Sequence, residues 1–148
     1  MVLRMSFVAE ARRVIAASPD ACFARLADFP SWTDWMPSSF RPLSGPTRTL
    51  VVGDVLNVKI AGLPGKAVLR VVRAEPGRAI GWQGGVPGVL DAIHTFHFSA
   101  QGDGTLVHSE ETWTGALTSV GPLARRVQTM AEAVGTAHLE ALARSLTK

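Results

Sequence analysis

The 148-residue chain has no Tyr, a single Cys (Cys22) and only 18% charged residues. One Cys excludes an intrachain disulfide framework and a zinc site built on several thiolates. Without Tyr no phenol can serve as a proton donor. Nowhere do about 18 apolar residues follow one another, which argues against a membrane-spanning helix. The opening Met1-Val2-Leu3-Arg4-Met5-Ser6 leads to Glu10, Arg12 and Arg13, unlike the apolar run of a signal peptide, so the expected compartment is a reducing cytoplasm. Charge of one sign is also scarce: 15 Lys+Arg stand against 12 Asp+Glu, a net +3. The basic residues are scattered and not interleaved with aromatics, so nucleic acid is not an expected partner. What the chain does have is 47% apolar residues, ample for the core of one domain over residues 1–148.

Periodicity divides the chain into elements. Residues 6–17 alternate, with Phe7, Ala9, Ala11, Arg13 and Ile15 in one phase, which predicts a first strand. Ser18-Pro19-Asp20 then reads as a helix start, Ser18 capping and Pro19 in the first turn, and Cys22, Phe23 and Leu26 follow at helical spacing. A second short helix is expected within Asp28–Pro37, capped by Ser31 and stopped by Pro37. Strands are predicted near 39–43, 49–61, 66–75, 78–84, 88–100 and 104–115, separated by Gly- and Pro-rich turns. Loops this short require antiparallel pairing, hence a meander. From Leu123 through Val127, Met130, Val134, Ala137 and Ala141 to Leu146 the spacing is helical, giving one helix of about 25 residues. The predicted class is α+β: a curved, seven-stranded antiparallel sheet wrapped around a long C-terminal helix, with two short helices after strand 1.

This order resembles the helix-grip fold of the START, polyketide cyclase and birch-pollen-allergen superfamily (SRPBCC). The residues that carry the likeness are Ser18-Pro19-Asp20-Ala21-Cys22-Phe23, Leu26-Ala27-Asp28-Phe29-Pro30-Ser31-Trp32 and Trp35-Met36-Pro37, together with the stretch from Gly104 to Gly115. The resemblance implies a hydrophobic cavity between sheet and long helix. It also implies that the turns Gly62–Gly65 and Gly84–Gly88 rim its mouth. It does not choose among the cyclases, dehydratases, lipid and hormone binders and quinone-binding proteins of the superfamily.

The candidate site residues come from strand phase. Leu90, Ala92, His94, Phe96 and Phe98 share a face that is expected to point inward, which places His94 among apolar neighbours as a hydrogen-bond or proton-transfer group. In the last strand Val107 and Trp113 favour the phase that also turns Ser109 and Glu111 inward. A desolvated Glu111 would have a raised pKa and could act as acid, base or ligand contact. The other register, with Glu110 inside, and a pairing of Glu111 with Arg70 or Arg73 both stay open. His97 and His108 are expected on the outer face, and His138 on the helix flank or near the pocket. Because His94 and His97 point to opposite faces, no metal site is expected, and no cofactor either. Trp35, Trp82 and Trp113 are expected to supply walls, with Phe96, Phe98, Met130 and Val134. Gly135 in the long helix marks either room for a ligand or close helix–sheet packing.

Three functions fit. The first is binding of a hydrophobic small molecule such as a polyketide, lipid or isoprenoid-like compound. The second is a polyketide cyclase or dehydratase using Glu111 and His94 as acid and base. The third is a protein-interaction module without a cavity. A homodimer is neither required nor excluded by the sequence.

Overall fold

The computed structural model describes residues 6–62, 65–86, 90–115 and 121–147. The alternating N-terminal segment forms β1 (Ser6–Ile15), which buries Ala9 and Ile15. Ser18 then caps α1 (Pro19–Ala27): its backbone is extended and its Oγ accepts the Ala21 N–H at 3.1 Å. The cap satisfies one of the donors that a helix start leaves free, and Pro19 has no N–H to strand. A 3-10 turn over Phe29–Ser31 leads into the four-residue α2 (Trp32–Trp35). Trp32 is driven into the core, where its ring meets Phe29, Phe40 and Trp82 at 4.9, 5.9 and 5.2 Å between centroids. Its indole N–H donates to the Leu26 carbonyl at 3.0 Å, so the aromatic anchor also closes the end of α1. Trp32→Phe keeps most of the apolar contact but leaves that buried carbonyl without its donor. It is expected to cost about 1–3 kcal/mol in urea denaturation.

The meander follows as β2 (Phe40–Ser44), β3 (Val55–Ile60), β4 (Ala67–Glu75), β5 (Ala79–Val86), β6 (Leu90–Gln101) and β7 (Gly104–Thr114). All neighbours pair antiparallel in the order β1-β7-β6-β5-β4-β3-β2, so β1 closes against β7, and β1 and β2 form the edges. The curved seven-stranded sheet, the long helix and the short helices after β1 agree with the predicted helix grip. One strand differs: the expected 49–61 run is interrupted. Thr49 makes only an isolated bridge to Asp28, and Asp54 Oδ2 accepts the Val51 N–H at 2.8 Å, which folds residues 51–54 into a turn before β3 begins. Leu50 and Val51 look like strand residues in sequence, but the Asp54 side chain offers the backbone a competing partner. A bulge between Val71 and Arg73 shifts the β4–β5 register, and another lies between Pro42 and Ser44. Such extra residues bend a sheet locally.

The 26-residue α3 (Gly121–Leu146) lies across the concave face. Among the described residues no helix is long and apolar enough to cross a membrane. The core beneath α3 is split. One cluster gathers α1, Trp32, the middle of the sheet and the C-terminal half of α3, around Leu26, Ile80, Phe96 and Leu142. The other is small: Ala9, Trp113 and Ala131, with Phe7, Ala92, Val127 and Met130 against them.

Candidate functional site

Between these two clusters lies a cavity of about 100 Å³. Its apolar walls draw on both: Phe40, Leu69 and Trp82 belong to the larger cluster, and Ala92, Trp113 and Met130 to the smaller. Val134 and Ala131 close it from α3, and Ile60 and Ala67 from β3 and β4. Gly84 and Gly85 line it from β5. A Cβ on Gly84 would overlap the Leu69 side chain and stand 3.0 Å from the Val68 carbonyl, so a larger residue cannot enter there without moving β4. The predicted rim loops fall partly at 63–64 and 87–89, outside the described residues. A Cβ on Gly62, at the start of the first, would stand 3.8 Å from Met130 Sδ, which puts Gly62 beside a cavity residue.

The polar groups collect on β6 and β7. These strands pair His94 with Glu111, Ala92 with Trp113 and Phe96 with Ser109, and β7 alternates buried with half-buried residues along its whole length. Glu111 therefore faces inward, 8% exposed, and Glu110 outward. Arg73 is engaged with Glu75, and no hydrogen bond or ion pair joins Glu111 to Arg70 or Arg73 among the described residues. Burial pushes the Glu111 carboxyl up to about 8, only partly offset by the nearby Trp113 indole. That indole N–H still lacks a hydrogen-bond acceptor, and Glu111 Oε2 lacks a partner too.

His94 is buried with Nε2 at 2.7 Å from Ser109 Oγ and Nδ1 at 3.8 Å from Glu111 Oε2. Desolvation, reinforced by His138, holds its pKa well below the usual imidazole range. At neutral pH the contact thus joins an uncharged imidazole to a protonated acid, and is not an ion pair in spite of its length. His138, one turn beyond Val134, donates its Nδ1–H to the Val134 carbonyl at 2.7 Å. Its Nε2 is left as a buried acceptor without a partner, and burial lowers its pKa to about 4. The ring lies 5.5 Å from His94 and 4.6 Å from Phe40, both cavity residues.

Of the expected site residues, Glu111, His94, Trp82, Trp113, Met130 and Val134 meet at this cavity. Three do not. Trp35 donates to Ser31 Oγ at 2.9 Å and borders a separate surface groove with Arg25 and Arg144, because Trp32, one turn earlier, takes the core position. Phe96 is stacked on His94 at 4.3 Å and fully covered, and Phe98 packs edge-on against Phe23 of α1 at 6.4 Å. Both share the inner face of β6 with His94, but Phe23 of α1 covers Phe98, and Phe96 is packed among Trp82, His94 and His138. Gly135 does not leave room for a ligand: a Cβ there would stand 3.3 Å from Ser109 Oγ and 3.8 Å from Ala11, so its role is close packing of α3 on β7 and β1. Strand phase points to Ser109, whereas Phe40 and Leu69 are additions. The 131-134-138 helical spacing was the available signal for Ala131 and His138.

Elsewhere, Cys22 is buried and burial raises its thiol pKa, the reverse of what a nucleophile needs. On the outer face His97 stacks on His108, as strand phase requires, at 5.7 Å. There Glu10, His108 and Glu110 bring ligand-type atoms within 4.8 Å of one another, the one such group among the described residues. Two of the three are already engaged: Glu10 Oε1 meets His108 Nε2 at 3.0 Å and Arg12 at 3.7 Å.

Comparison with known proteins agrees with this architecture. The model of the polyketide cyclase/dehydrase and lipid transport family matches residues 6–148. Similar solved structures include truncated norcoclaurine synthase from Thalictrum flavum, with a TM-score of 0.76 at 15% identity over 100% of this chain and 98% of that one. The di-domain ARO/CYC protein BexL of the BE-7585A biosynthetic pathway gives a TM-score of 0.76 at 17% identity, covering 97% of this chain and 50% of that one. StfQ, the di-domain ARO/CYC protein of the steffimycin pathway, gives 0.71 at 16%, covering 96% and 50%. These identities establish a shared fold only. No curated protein sequence matches the chain. The helix grip, the split core and the family match over residues 6–148 together make this chain a member of the polyketide cyclase/dehydrase and lipid transport family of the SRPBCC superfamily.

Proposed function

We propose that the chain binds a hydrophobic small molecule in the cavity between sheet and α3, with the polar end of the ligand at Glu111, His94 and Trp113. The observation that carries this reading is the pair of unpartnered atoms, Glu111 Oε2 and Trp113 Nε1, in the wall of an otherwise apolar space. Each buried polar group without a partner costs about 1–3 kcal/mol, and a ligand that supplies the partner recovers it. Apolar burial provides the remainder of the affinity, at about 25 cal/mol per Å². A dry cavity of about 150 Å³ accepts benzene, so about 100 Å³ suits one small ring or branched end. A polyketide, lipid or isoprenoid-like ligand would therefore place its terminal group here and extend toward the mouth. A core divided around a cavity does not favour the solid interaction module.

A second reading, a cyclase or dehydratase, is supported by one specific feature. Glu111 and His94 sit on one wall at 3.8 Å with pKa values displaced in opposite directions. Environments that push two groups apart in this way suit an acid and a base. The family description and the ARO/CYC neighbours are consistent with it.

Native mass spectrometry of the purified protein, paired with a denaturing run, tests the binding reading. The expected result is a small-molecule adduct that disappears on denaturation, or one that forms on incubation with small apolar compounds. A clean apo mass that persists after such incubation would overturn it.

A further inference from the structure

The unpartnered atoms also define what kind of polar end the cavity accepts. The Trp113 indole is a donor only, and Glu111, uncharged, has a hydroxyl to donate. Both groups lie two residues apart on the same face of β7, and both line the cavity. His94 Nδ1, at 3.8 Å from Glu111 Oε2, is too far to take that hydroxyl as a hydrogen bond, so it stays available to a ligand. None of the described residues lining the cavity is Lys or Arg. An anion entering it would shed its hydration with no cation to meet it, which is far costlier than burying a neutral oxygen.

We propose that Glu111 and Trp113 form a two-donor clamp for a single neutral acceptor oxygen, so that the site selects uncharged carbonyl compounds and turns away carboxylates. This inference rests on the binding reading above and adds charge selection to it. The raised pKa of Glu111 is consistent with it, since the carboxyl keeps its proton at the pH where it must donate. The clamp also explains the cost of the apo state: two buried donors are held ready for one acceptor.

The test uses the whole chain and four ring compounds of equal size, titrated at pH 6.5 by NMR chemical shifts. They are cyclopentanone, cyclopropanecarboxylate, cyclopentylammonium and the hydrocarbon methylenecyclopentane. Cyclopentanone is expected to bind at least about tenfold more tightly than either ion. Trp113→Phe alters the apolar wall for every ligand, so the readout is the ratio: the preference for cyclopentanone over methylenecyclopentane should fall about fivefold to tenfold. Glu111→Gln, whose amide still donates, should stay within a few-fold of the parent chain for cyclopentanone, and Glu111→Leu should not. Equal or tighter binding of the carboxylate overturns the clamp. Tightest binding of cyclopentylammonium also overturns it, by making Glu111 a buried counter-ion instead. Methylenecyclopentane binding with no preference among the four overturns the clamp but keeps the cavity reading. If methylenecyclopentane fails to bind along with the rest, both fall.

Discussion

Glu111→Gln is expected to stabilise the protein at and above neutral pH and to flatten the alkaline side of its stability profile. The carboxyl titrates near 8 in the folded chain against an ordinary 4.5, so between those values the folded state holds a proton that the unfolded state has released. A state that binds more protons loses ground as pH rises, and stability therefore falls across that window. By pH 7 the burden approaches about 3 kcal/mol at about 1.4 kcal/mol per pH unit. Gln removes the titration but must still bury an amide, so the net gain falls somewhat below that figure. His94 and His138 act with the opposite sign. Their folded-state values lie below 6.5, for His138 at about 4, so the folded chain binds fewer protons there and stability rises with pH until 6.5. The parent protein is accordingly expected to be most stable near pH 6.5, with the decline above it owed, among these three groups, to Glu111 alone. Urea denaturation at half-unit steps from pH 5 to 9 checks this. An unchanged decline in Glu111→Gln would show that the carboxyl is already solvated or paired.

Gly135→Leu is expected to cost about 3 kcal/mol or more and to take the cavity's polar wall with it. Gly135 is buried where α3 crosses β1 and β7, and the first added atom would already meet Ser109 Oγ at 3.3 Å. That hydroxyl is the partner of His94 Nε2 at 2.7 Å. Leu would force the helix off the sheet and displace the group that orients His94. Gly135→Ala is the informative companion. Ala gains about 1 kcal/mol in helix propensity over Gly, against a contact that Ser109 can relieve only by moving its hydroxyl by a few tenths of an ångström. Thermal unfolding of both variants separates packing from cavity filling. A Leu variant that folds with parental stability and merely loses ligand would contradict the packing role.

The parts of the site that strand phase can encode were legible in sequence. Glu111 and His94 are inward because Trp113 and Val107 on β7, and Ala92 and Phe96 on β6, fix the phase of their strands, and the period of two leaves no intermediate choice. The resemblance carried the architecture, from the Ser18-Pro19 cap to the long helix. What failed was information that lies along an element and not across it. Phase places Phe96 and Phe98 on the same face as His94 but cannot say that α1 covers Phe98 or that Trp82 and His138 cover Phe96. Trp32 and Trp35 stand within one turn of each other, and only the packing around Phe29, Phe40 and Trp82 decides which is the anchor. Gly135 reads alike for a void and for a close contact, since both need a missing side chain. The bulge at β4 and the Asp54 turn are local backbone choices that apolar spacing does not register.

Ligand selection depends on an uncharged Glu111 inside an apolar cavity, and the Glu111 carboxyl carbon reports that state directly. A carbon-13 NMR titration of the Glu side-chain carboxyls, with Glu111→Gln used to assign the resonance, should show one carboxyl titrating with a midpoint near 8. Addition of cyclopentanone should raise that midpoint further, because a ligand that accepts from the protonated form stabilises it. A Glu111 midpoint near the ordinary 4.5 would mean a hydrated or paired carboxylate, and would contradict both the desolvated cavity wall and the neutral clamp.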